Sequence, residues 1–229
     1  MSPPAPDPVR PAAGLRVFVD FDNTITVGDV LDGLIERFAV GDRWRELERE
    51  WAAGRLGARD CLDGQLRSLR GTWPEFEAEL AVVQLDAGFA ALLEAARRAG
   101  AELTILSDNF DRFIQAILRR HGLDGVPVCA NHLEFAGDRL EPSFPHYNPA
   151  CPGCAHCKKT HFVPRRDARR VIYVGDGRSD LCPAREADIV FAKAGLLTQL
   201  RAENVPCRPF DGLAGVAAAL LRLPHEDHR

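Results

Sequence analysis

A short apolar segment that ends in two aspartates constrains this chain more than any other feature of its sequence. The residues from Val17 to Val19 are β-branched or aromatic, and they lead directly into Asp20 and Asp22. Such a segment predicts a buried strand, here over residues 15–22. Carboxylates at the end of a buried strand are costly unless a cation pairs with them. Because divalent cations such as Mg²⁺ prefer oxygen ligands, the segment also predicts a metal site.

Strands and helices alternate along most of the chain. The predicted strands cover residues 15–22, 103–106, 171–174, 189–192 and 207–210, and the predicted helices cover residues 89–98, 110–120, 179–186, 196–201 and 213–223. Residues 126–144 are predicted to be extended with a turn at residues 137–138, and residues 142–164 to form a loop. This alternation is typical of a three-layer α/β fold, with a parallel sheet between two layers of helices.

Residues 28–85 differ from the rest in composition, because they are rich in Leu, Ala, Arg and Glu and are divided by glycines into about four helices. We expect a small all-helical cap there, inserted after the first strand, and a core formed by residues 14–27 and 86–229. Trp44, Trp51 and Trp73 are expected in the interior of the cap, or one of them lines an apolar pocket. Residues 1–13 are rich in Pro and Ala and are predicted to be a disordered tail rather than a secretory signal.

Charge and cysteine content narrow the class of protein. The net charge of −4 gives no basic surface for nucleic acid or an acidic membrane. No apolar run approaches the roughly 20 residues that a membrane-spanning helix needs. Seven cysteines are an odd number, which argues against a complete disulfide framework and favours a reducing compartment. We therefore expect a cytoplasmic protein, either a monomer or a homodimer.

Three predicted strands end in polar residues, and in an open α/β sheet such strand ends lie at one ligand-binding edge. The polar pairs are Asp20 and Asp22, Ser107 and Asp108, and Asp176 and Asp180. Asp20 and Asp176 can bind Mg²⁺ and leave room for a phosphate oxygen. One aspartate can then attack phosphorus while Asp22 transfers protons. The Ser107 hydroxyl and the Lys158 ammonium would neutralise the remaining phosphate oxygens.

These residues resemble the motifs of the haloacid dehalogenase superfamily over residues 15–215. The matching segments are Asp20-Phe21-Asp22-Asn23-Thr24, Ser107, Lys158 or Lys159, and Gly175-Asp176-Gly177-Arg178-Ser179-Asp180. The resemblance implies a Rossmann-like core with a helical cap and a Mg²⁺-dependent phosphatase with Asp20 as nucleophile and metal ligand. It implies Asp22 as acid and base with its carbonyl on the metal, Asp176 as a further ligand, and Asp180 as a water-mediated ligand or a partner of Asp176. Dehalogenases of the superfamily lack the second aspartate, so dehalogenation is disfavoured.

The segments around residues 151–159, 173–184 and 187–193 are similar to two groups of phosphatases in this superfamily. One acts on a methylthiopentenyl phosphate in methionine salvage, and the other acts on phosphoethanolamine, phosphocholine or pyridoxal phosphate; phosphoserine phosphatases are more distant. The expected substrate is a small-molecule phosphate monoester, and the similarity favours a methylthiopentenyl phosphate, the substrate of the first group. Substrate contacts are expected from Asp29, Asp108, Asn109 and Gly177, although Asp29 also suits a helix N-terminus. Two other classes stay open, an inactive metal-binding regulatory protein and a phosphotransferase.

Three cysteines spaced by two residues precede the motif lysine. Cys151, Cys154 and Cys157 are candidate ligands of a structural Zn²⁺. The fourth ligand would come from elsewhere in the chain; the candidates are Cys129, His132, His146, His156 and Cys182. The alternatives are reduced thiols that stabilise a tight loop, or a disulfide.

Overall fold

The computed structural model describes residues 14–151, 153–162 and 169–223. Seven strands of these residues form one sheet in the order β4-β3-β2-β1-β5-β6-β7. The strands are β1 (Leu15–Val19), β2 (Glu102–Phe110), β3 (Val128–Ala136), β4 (Arg139–Ser143), β5 (Arg170–Gly175), β6 (Ile189–Ala192) and β7 (Arg208–Pro209). Every neighbouring pair is parallel except β3 and β4, which pair antiparallel. The predicted α/β fold is confirmed, with one antiparallel strand added at the edge.

Helices cover both faces of the sheet. Successive side chains of each strand point to opposite faces, and on each face they form an apolar cluster with the helices that pack there. Val17 and Val19 point to the face covered by α5 (Phe89–Arg98), α6 (Asp111–Arg120) and α9 (Leu213–Leu220). Phe18 points to the opposite face, where α7 (Leu181–Ala184) and α8 (Ala194–Ala202) pack. A 3₁₀ helix (Lys158–His161) precedes β5 in the chain. Phe162, the residue after this helix, stacks on Phe18 with 5.1 Å between the ring centroids.

Four helices lie within residues 28–85, as the composition predicts: α1 (Val30–Phe38), α2 (Arg43–Ala52), α3 (Ala58–Ser68) and α4 (Trp73–Leu80). The segments that enter and leave them pair with each other, Thr26 opposite Leu85. Helix α4 also packs against α6, one of the helices that cover the sheet. Phe76 of α4 stacks on Phe113 of α6, with 5.6 Å between the ring centroids. The division into cap and core stays a prediction, and the predicted tail of residues 1–13 lies outside the described residues.

Strand β2 is longer than predicted. The sequence predicts its end at residue 106 and a helix from residue 110, but β2 continues to Phe110 and α6 begins at Asp111. The pairing explains the difference: from Leu106 to Phe110 on β2, the partner strand β3 advances only from Cys129 to Asn131. This bulge places the polar residues between 106 and 110 at the sheet edge without ending the strand.

The remaining helix and strand predictions differ only in their ends, except for one helix that differs in type. The helix predicted over residues 179–186 is a 3₁₀ turn (Arg178–Asp180) followed by the short α7. Pro183 within that segment restricts how far a helix can extend before it. Across the described ranges, we find no helix with both the length and the apolar character needed to cross a membrane.

Candidate active site

The site lies where β1, β2 and β5 end at the same edge of the sheet. The backbone N–H of Asp20 donates to the carbonyl of Val174 on β5 at 2.9 Å, so the chain keeps its parallel pairing up to the first aspartate. Asp20 is 6% exposed and Ser107 is 1% exposed, whereas Asp176 is half-buried. The three predicted strand ends are therefore brought together.

Lys158 reaches this edge from the 3₁₀ helix. Its Nζ lies 2.5 Å from Oδ1 of Asp20 and 2.7 Å from Oδ1 of Asp180, and the lysine is 1% exposed. Burial opposes the charge on Lys158, but the carboxylates of Asp180 and Asp20 outweigh it and raise the lysine pKa. Burial and Asp180 raise the pKa of Asp20, and Lys158 opposes them. Of the two lysines considered for this position, Lys158 and Lys159, it is Lys158 whose side chain contacts Asp20.

Asp180 organises the loop after β5. Its Oδ2 accepts the backbone N–H groups of Asp176 and Gly177 at 3.0 and 3.1 Å, and its Oδ1 accepts the Tyr173 hydroxyl at 2.6 Å as well as Lys158. Both oxygens of this fully buried carboxylate are therefore engaged. Of the two roles implied for Asp180, the arrangement favours orientation of Asp176 over metal binding through water.

Asp22 is held in place by two donors. Nδ2 of Asn109 lies 3.0 and 3.2 Å from its two oxygens, and the backbone N–H of Val30 donates to Oδ1 at 2.9 Å. Burial, followed by the charge of Asp29, raises the pKa of Asp22 to about 7 against these hydrogen bonds. A carboxyl group with this pKa suits both donation and removal of a proton near neutral pH.

The polar residues of the β2 bulge, Ser107, Asp108 and Asn109, form part of the site at the end of β2. The Ser107 hydroxyl accepts the backbone N–H of Asn109 at 3.0 Å, which leaves its own proton to be donated. Asp108 Oδ1 accepts the backbone N–H of His156 at 3.0 Å, so this carboxylate connects β2 to the loop before Lys158. Asn109 and Asp108, both predicted to bind substrate, line the cavity but also have these positioning contacts.

A cavity of about 230 Å³ separates the sheet edge from the helices α1 to α3. The sheet side is formed by Asp20, Asp22, Ser107, Asp108, Asn109, Asp176 and Gly177, and the helix side by Asp29, Leu31, Asp32, Glu48, Trp51, Ala58, Cys61, Leu62 and Gln65. Asp29 is also the N-cap of α1 and accepts the backbone N–H of Asp32 at 2.9 Å. Asp29 is therefore both the N-cap of α1 and a residue of the cavity wall, and its contact with substrate stays a prediction.

One of the three tryptophans lies at the cavity. Trp51 lines it and packs against the guanidinium of Arg178, 5.1 Å from the ring centroid, across from the loop after β5. Trp44 and Trp73 instead pack against the apolar cluster of the sheet face. All three tryptophans are half-buried. Trp73 packs against Phe135 of β3 rather than within the predicted cap alone, and Trp51 takes the alternative position at the cavity.

The donor atoms at the sheet edge fit a hard divalent cation. Carboxylate oxygens of Asp20, Asp176 and Asp180 lie within 4.8 Å of one another. Among the described residues, only Lys158 and Thr24 donate to the side chains of Asp20 and Asp176, one oxygen each. The second oxygens of Asp20 and Asp176 are thus available, and two carboxylates beside coordinated waters are typical of Mg²⁺ sites.

The cysteine prediction needs a correction. Thiol sulfurs of Cys151, Cys154 and Cys182 lie within 4.8 Å of one another, whereas Cys157 is outside this group. Cys157 is buried and its Sγ accepts Nδ2 of Asn148 at 3.8 Å. The reason is that Cys157 is held on the other part of the loop, where its backbone N–H also donates to the carbonyl of His146 at 3.0 Å. None of the seven cysteines is in a disulfide.

Thr24 and Tyr173 are among the residues that have direct contacts in the site but were not predicted as site residues. Thr24 Oγ1 donates to Oδ1 of Asp176 at 3.2 Å, and the Tyr173 hydroxyl contacts Asp180. Thr24 is a small polar residue two positions after Asp22, and that position was a signal. Tyr173 lies within an apolar strand, where nothing in the sequence separates it from a core residue.

Comparisons with known proteins agree with this geometry. Residues 17–185 match the family described as haloacid dehalogenase-like hydrolase. The chain is 29% identical to the 2-hydroxy-3-keto-5-methylthiopentenyl-1-phosphate phosphatase of an Exiguobacterium species, over 89% of this chain and 95% of that protein. It is 30% identical to the protein of the same name from Geobacillus thermodenitrificans, over 91% and 96% of the two chains.

A solved structure shares the fold. The phospho-aspartyl intermediate analogue of phosphoserine phosphatase superposes with a TM-score of 0.62 at 19% identity, over 82% of this chain and 91% of that one. The family match covers more than half of the chain, and it includes both aspartate motifs and Lys158. The chain therefore belongs to the haloacid dehalogenase-like hydrolases.

Proposed function

We propose that this protein, a phosphatase of the haloacid dehalogenase-like family, hydrolyses a small-molecule phosphate monoester through a phosphoaspartate at Asp20, with Mg²⁺ as cofactor. The observation that carries the proposal is the 2.5 Å contact between Nζ of the buried Lys158 and Oδ1 of Asp20, an aspartate that lines the cavity. Phosphoryl transfer depends on charge stabilisation and positioning, and a buried cation beside a carboxylate nucleophile supplies both. When bound by Asp20 and Asp176, Mg²⁺ would add positive charge at the phosphate oxygens.

In the first step, a carboxylate oxygen of Asp20 attacks phosphorus and the bond from phosphorus to the ester oxygen breaks. Protonated Asp22 donates its proton to the departing alkoxide, so the alcohol leaves neutral. The Lys158 ammonium and the Ser107 hydroxyl donate hydrogen bonds to the non-bridging oxygens of the phosphoryl group. Asn109 and the Val30 N–H keep Asp22 pointed at the leaving group.

In the second step, the carboxylate of Asp22 removes a proton from water, and the water oxygen attacks phosphorus of the phosphoaspartate. The bond between phosphorus and the Asp20 oxygen breaks, which releases inorganic phosphate and restores the Asp20 carboxylate. Asp22 ends the cycle protonated. A pKa of about 7 serves both steps, because the same group must be an acid first and a base afterwards.

For the substrate we favour a methylthiopentenyl phosphate of the kind named for the curated relatives. Apolar side chains on the helix side of the cavity support an apolar tail; they are Leu31, Ala58 and Leu62. Trp51 adds an aromatic surface beside them.

A second candidate is a phosphate monoester that carries an amine, such as phosphoserine, phosphoethanolamine or a pyridoxal-type phosphate. The helix side of the cavity also presents the carboxylates of Asp29, Asp32 and Glu48. Within the described residues, the side chains that donate to these carboxylates are the amides of Asn23 and Gln65. Three carboxylates without a cationic partner would stabilise an ammonium group on the substrate.

A substrate panel tests both candidates. Phosphate release is measured from an aryl phosphate, a methylthiopentenyl phosphate, phosphoserine, phosphoethanolamine and pyridoxal phosphate, with EDTA and after Mg²⁺ is restored. We expect EDTA to abolish release and the methylthiopentenyl ester to give the highest kcat/KM. A preference for the amine esters that is lost in Asp32→Asn/Glu48→Gln would establish the second candidate. Metal binding without any phosphate release would favour a regulatory protein, and transfer to an added alcohol a phosphotransferase.

A further inference from the structure

We propose that Cys151, Cys154 and Cys182 form a Zn²⁺ site that fixes the loop carrying Lys158 to the loop carrying Asp180. Their sulfurs lie within 4.8 Å of one another. In a tetrahedral site with Zn–S bonds of about 2.3 Å, the sulfurs would be about 3.8 Å apart. Shifts of about 1 Å or less therefore bring the three thiols to ligand distance.

The two chain segments that supply the thiols are far apart in sequence. Cys151 and Cys154 belong to the loop after β4, and Cys182 belongs to α7. A cation shared by them would connect two segments that otherwise meet mainly through side chains. Thiolate is also the ligand that selects Zn²⁺ over the hard cations suited to the carboxylate site, so the two metals would not compete for one position.

The loop before Lys158 is long and irregular, and a bound metal would stabilise it. Between Ser143 and Lys158 the described residues form neither a helix nor a strand. The backbone N–H groups of Tyr147, Cys151 and Cys157 donate to the carbonyls of Phe144, Asn148 and His146, and the N–H of His156 donates to Asp108 on β2. In the described residues these bonds stay within the loop or reach β2, and none of them reaches α7. Irregular loops of this length in a compact domain are uncommon and usually have a functional reason.

The position of the thiols relative to the catalytic groups gives the site a consequence. Lys158 follows Cys154 by four residues, and Cys182 follows Asp180 by two. Lys158 Nζ and Asp180 Oδ1 are the two ends of a 2.7 Å ion pair. A cation bound by the thiols would fix the chain segments that carry Lys158 and Asp180. It would thereby keep the Lys158 ammonium in position beside Asp20. The zinc would act on structure, because its ligands do not line the cavity.

A second donor group in the same loop is the competing location. Nitrogen atoms of His146, His156 and His161 also lie within 4.8 Å of one another. However, Nε2 of His156 and Nε2 of His161 are only 2.6 Å apart, which suits a hydrogen bond between the rings better than two ligands of one cation. Cys151 and Cys182 also share a hydrogen bond. A hydrogen bond between two sulfurs has a length close to the spacing of two zinc-bound sulfurs, so this contact is compatible with a shared cation, and we assign the metal to the thiols.

Metal analysis tests the site independently of any activity, so its failure would leave the proposed phosphatase function untouched. The full chain is purified under reducing conditions with Zn²⁺ present and then freed of excess metal. We expect about one zinc per chain in the wild type and in Cys207→Ser, and more than about tenfold weaker binding in Cys182→Ser. Zinc that persists in Cys182→Ser but is lost in His161→Gln would overturn the assignment to the thiols.

Co²⁺ substitution of the wild type covers the case in which Cys182→Ser does not fold. Thiolate ligands give an intense charge-transfer absorption that imidazole and carboxylate ligands lack. We expect this band together with the visible absorption of tetrahedral Co²⁺, and protection of three thiols from alkylation when the metal is bound. No charge-transfer band, no bound zinc, or a disulfide within the three cysteines in place of metal would refute the proposal.

Discussion

Lys158 lies 138 residues after Asp20 in the chain, and its Nζ is 2.5 Å from Oδ1 of that aspartate. The same ammonium is 2.7 Å from Asp180, which in turn holds the backbone of Asp176. One buried cation therefore connects the end of β1, the loop after β4 and the loop after β5. Removal of this charge would leave at least two buried carboxylates without compensation.

Replacement of Lys158 with Met should lower kcat/KM by about 10²–10³-fold, because the phosphoryl oxygens lose a charged donor. Lys159→Met is the matched control, since Lys159 is the neighbouring residue and is only half-buried. Steady-state kinetics with one aryl phosphate compare the two variants. An equal loss in both, or a larger loss in Lys159→Met, would contradict the position given to Lys158.

The pKa of about 7 for Asp22 predicts the pH dependence of the first step. Asp22 must be protonated to donate to the leaving group, so kcat/KM should fall as the pH rises above about 7. In Asp22→Asn this limb should disappear. The variant should also lose about 10²–10⁴-fold with an alkyl phosphate and much less with a nitrophenyl phosphate, whose leaving group needs no proton. Equal losses with both esters would argue against Asp22 as the acid.

The carboxylates around the cavity predict how stability depends on pH in the metal-free protein. Burial raises the pKa of Asp22 to about 7 and of Asp32, Asp108 and Asp176 to about 6, above the value of 3.8 expected when unfolded. The folded state then binds protons more tightly than the unfolded state, so stability is lost as the pH rises from about 4 to 7.

Thermal unfolding in EDTA should therefore give a Tm that falls between about pH 4 and pH 7. Mg²⁺ competes with these protons, so the Tm gained on adding it should grow over the same range. Asp176→Asn, which removes a metal ligand, should lose most of that gain. A metal-free Tm that rises with pH would contradict the assignment of these shifts to burial.

Trp51 and Trp73 should differ in what they affect. Trp51 lines the cavity, so Trp51→Ala should raise KM about tenfold with little change in Tm. Trp73 packs against Phe135 at 5.5 Å and under the guanidinium of Arg112, so Trp73→Ala should cost about 2–3 kcal/mol of stability and leave KM of the folded protein unchanged. Kinetics and chemical denaturation of both variants separate the two roles.

The sequence predicts the parts of this site that follow from local patterns. An apolar strand that ends in Asp20 or Asp176 is recognisable, and the convergence of strand ends follows from the parallel sheet. Long-range partners are less predictable. Cys182 was one of five candidates for the fourth ligand, and it joins Cys151 and Cys154 because α7 packs beside the loop, whereas residue spacing alone favours Cys157. The bulge that extends β2 to Phe110 depends on its pairing with β3 and has no local signal.

The central claim is that Asp20 carries the phosphoryl group, and trapping the intermediate tests it most directly. The enzyme is mixed with Mg²⁺ and substrate, quenched in acid within one turnover and reduced with borohydride, which converts an acyl phosphate on aspartate to homoserine. Peptide mass spectrometry should then find homoserine at residue 20 only when substrate is present, and none in Asp20→Asn. Homoserine at another aspartate, or full phosphate release by Asp20→Asn, would contradict the account.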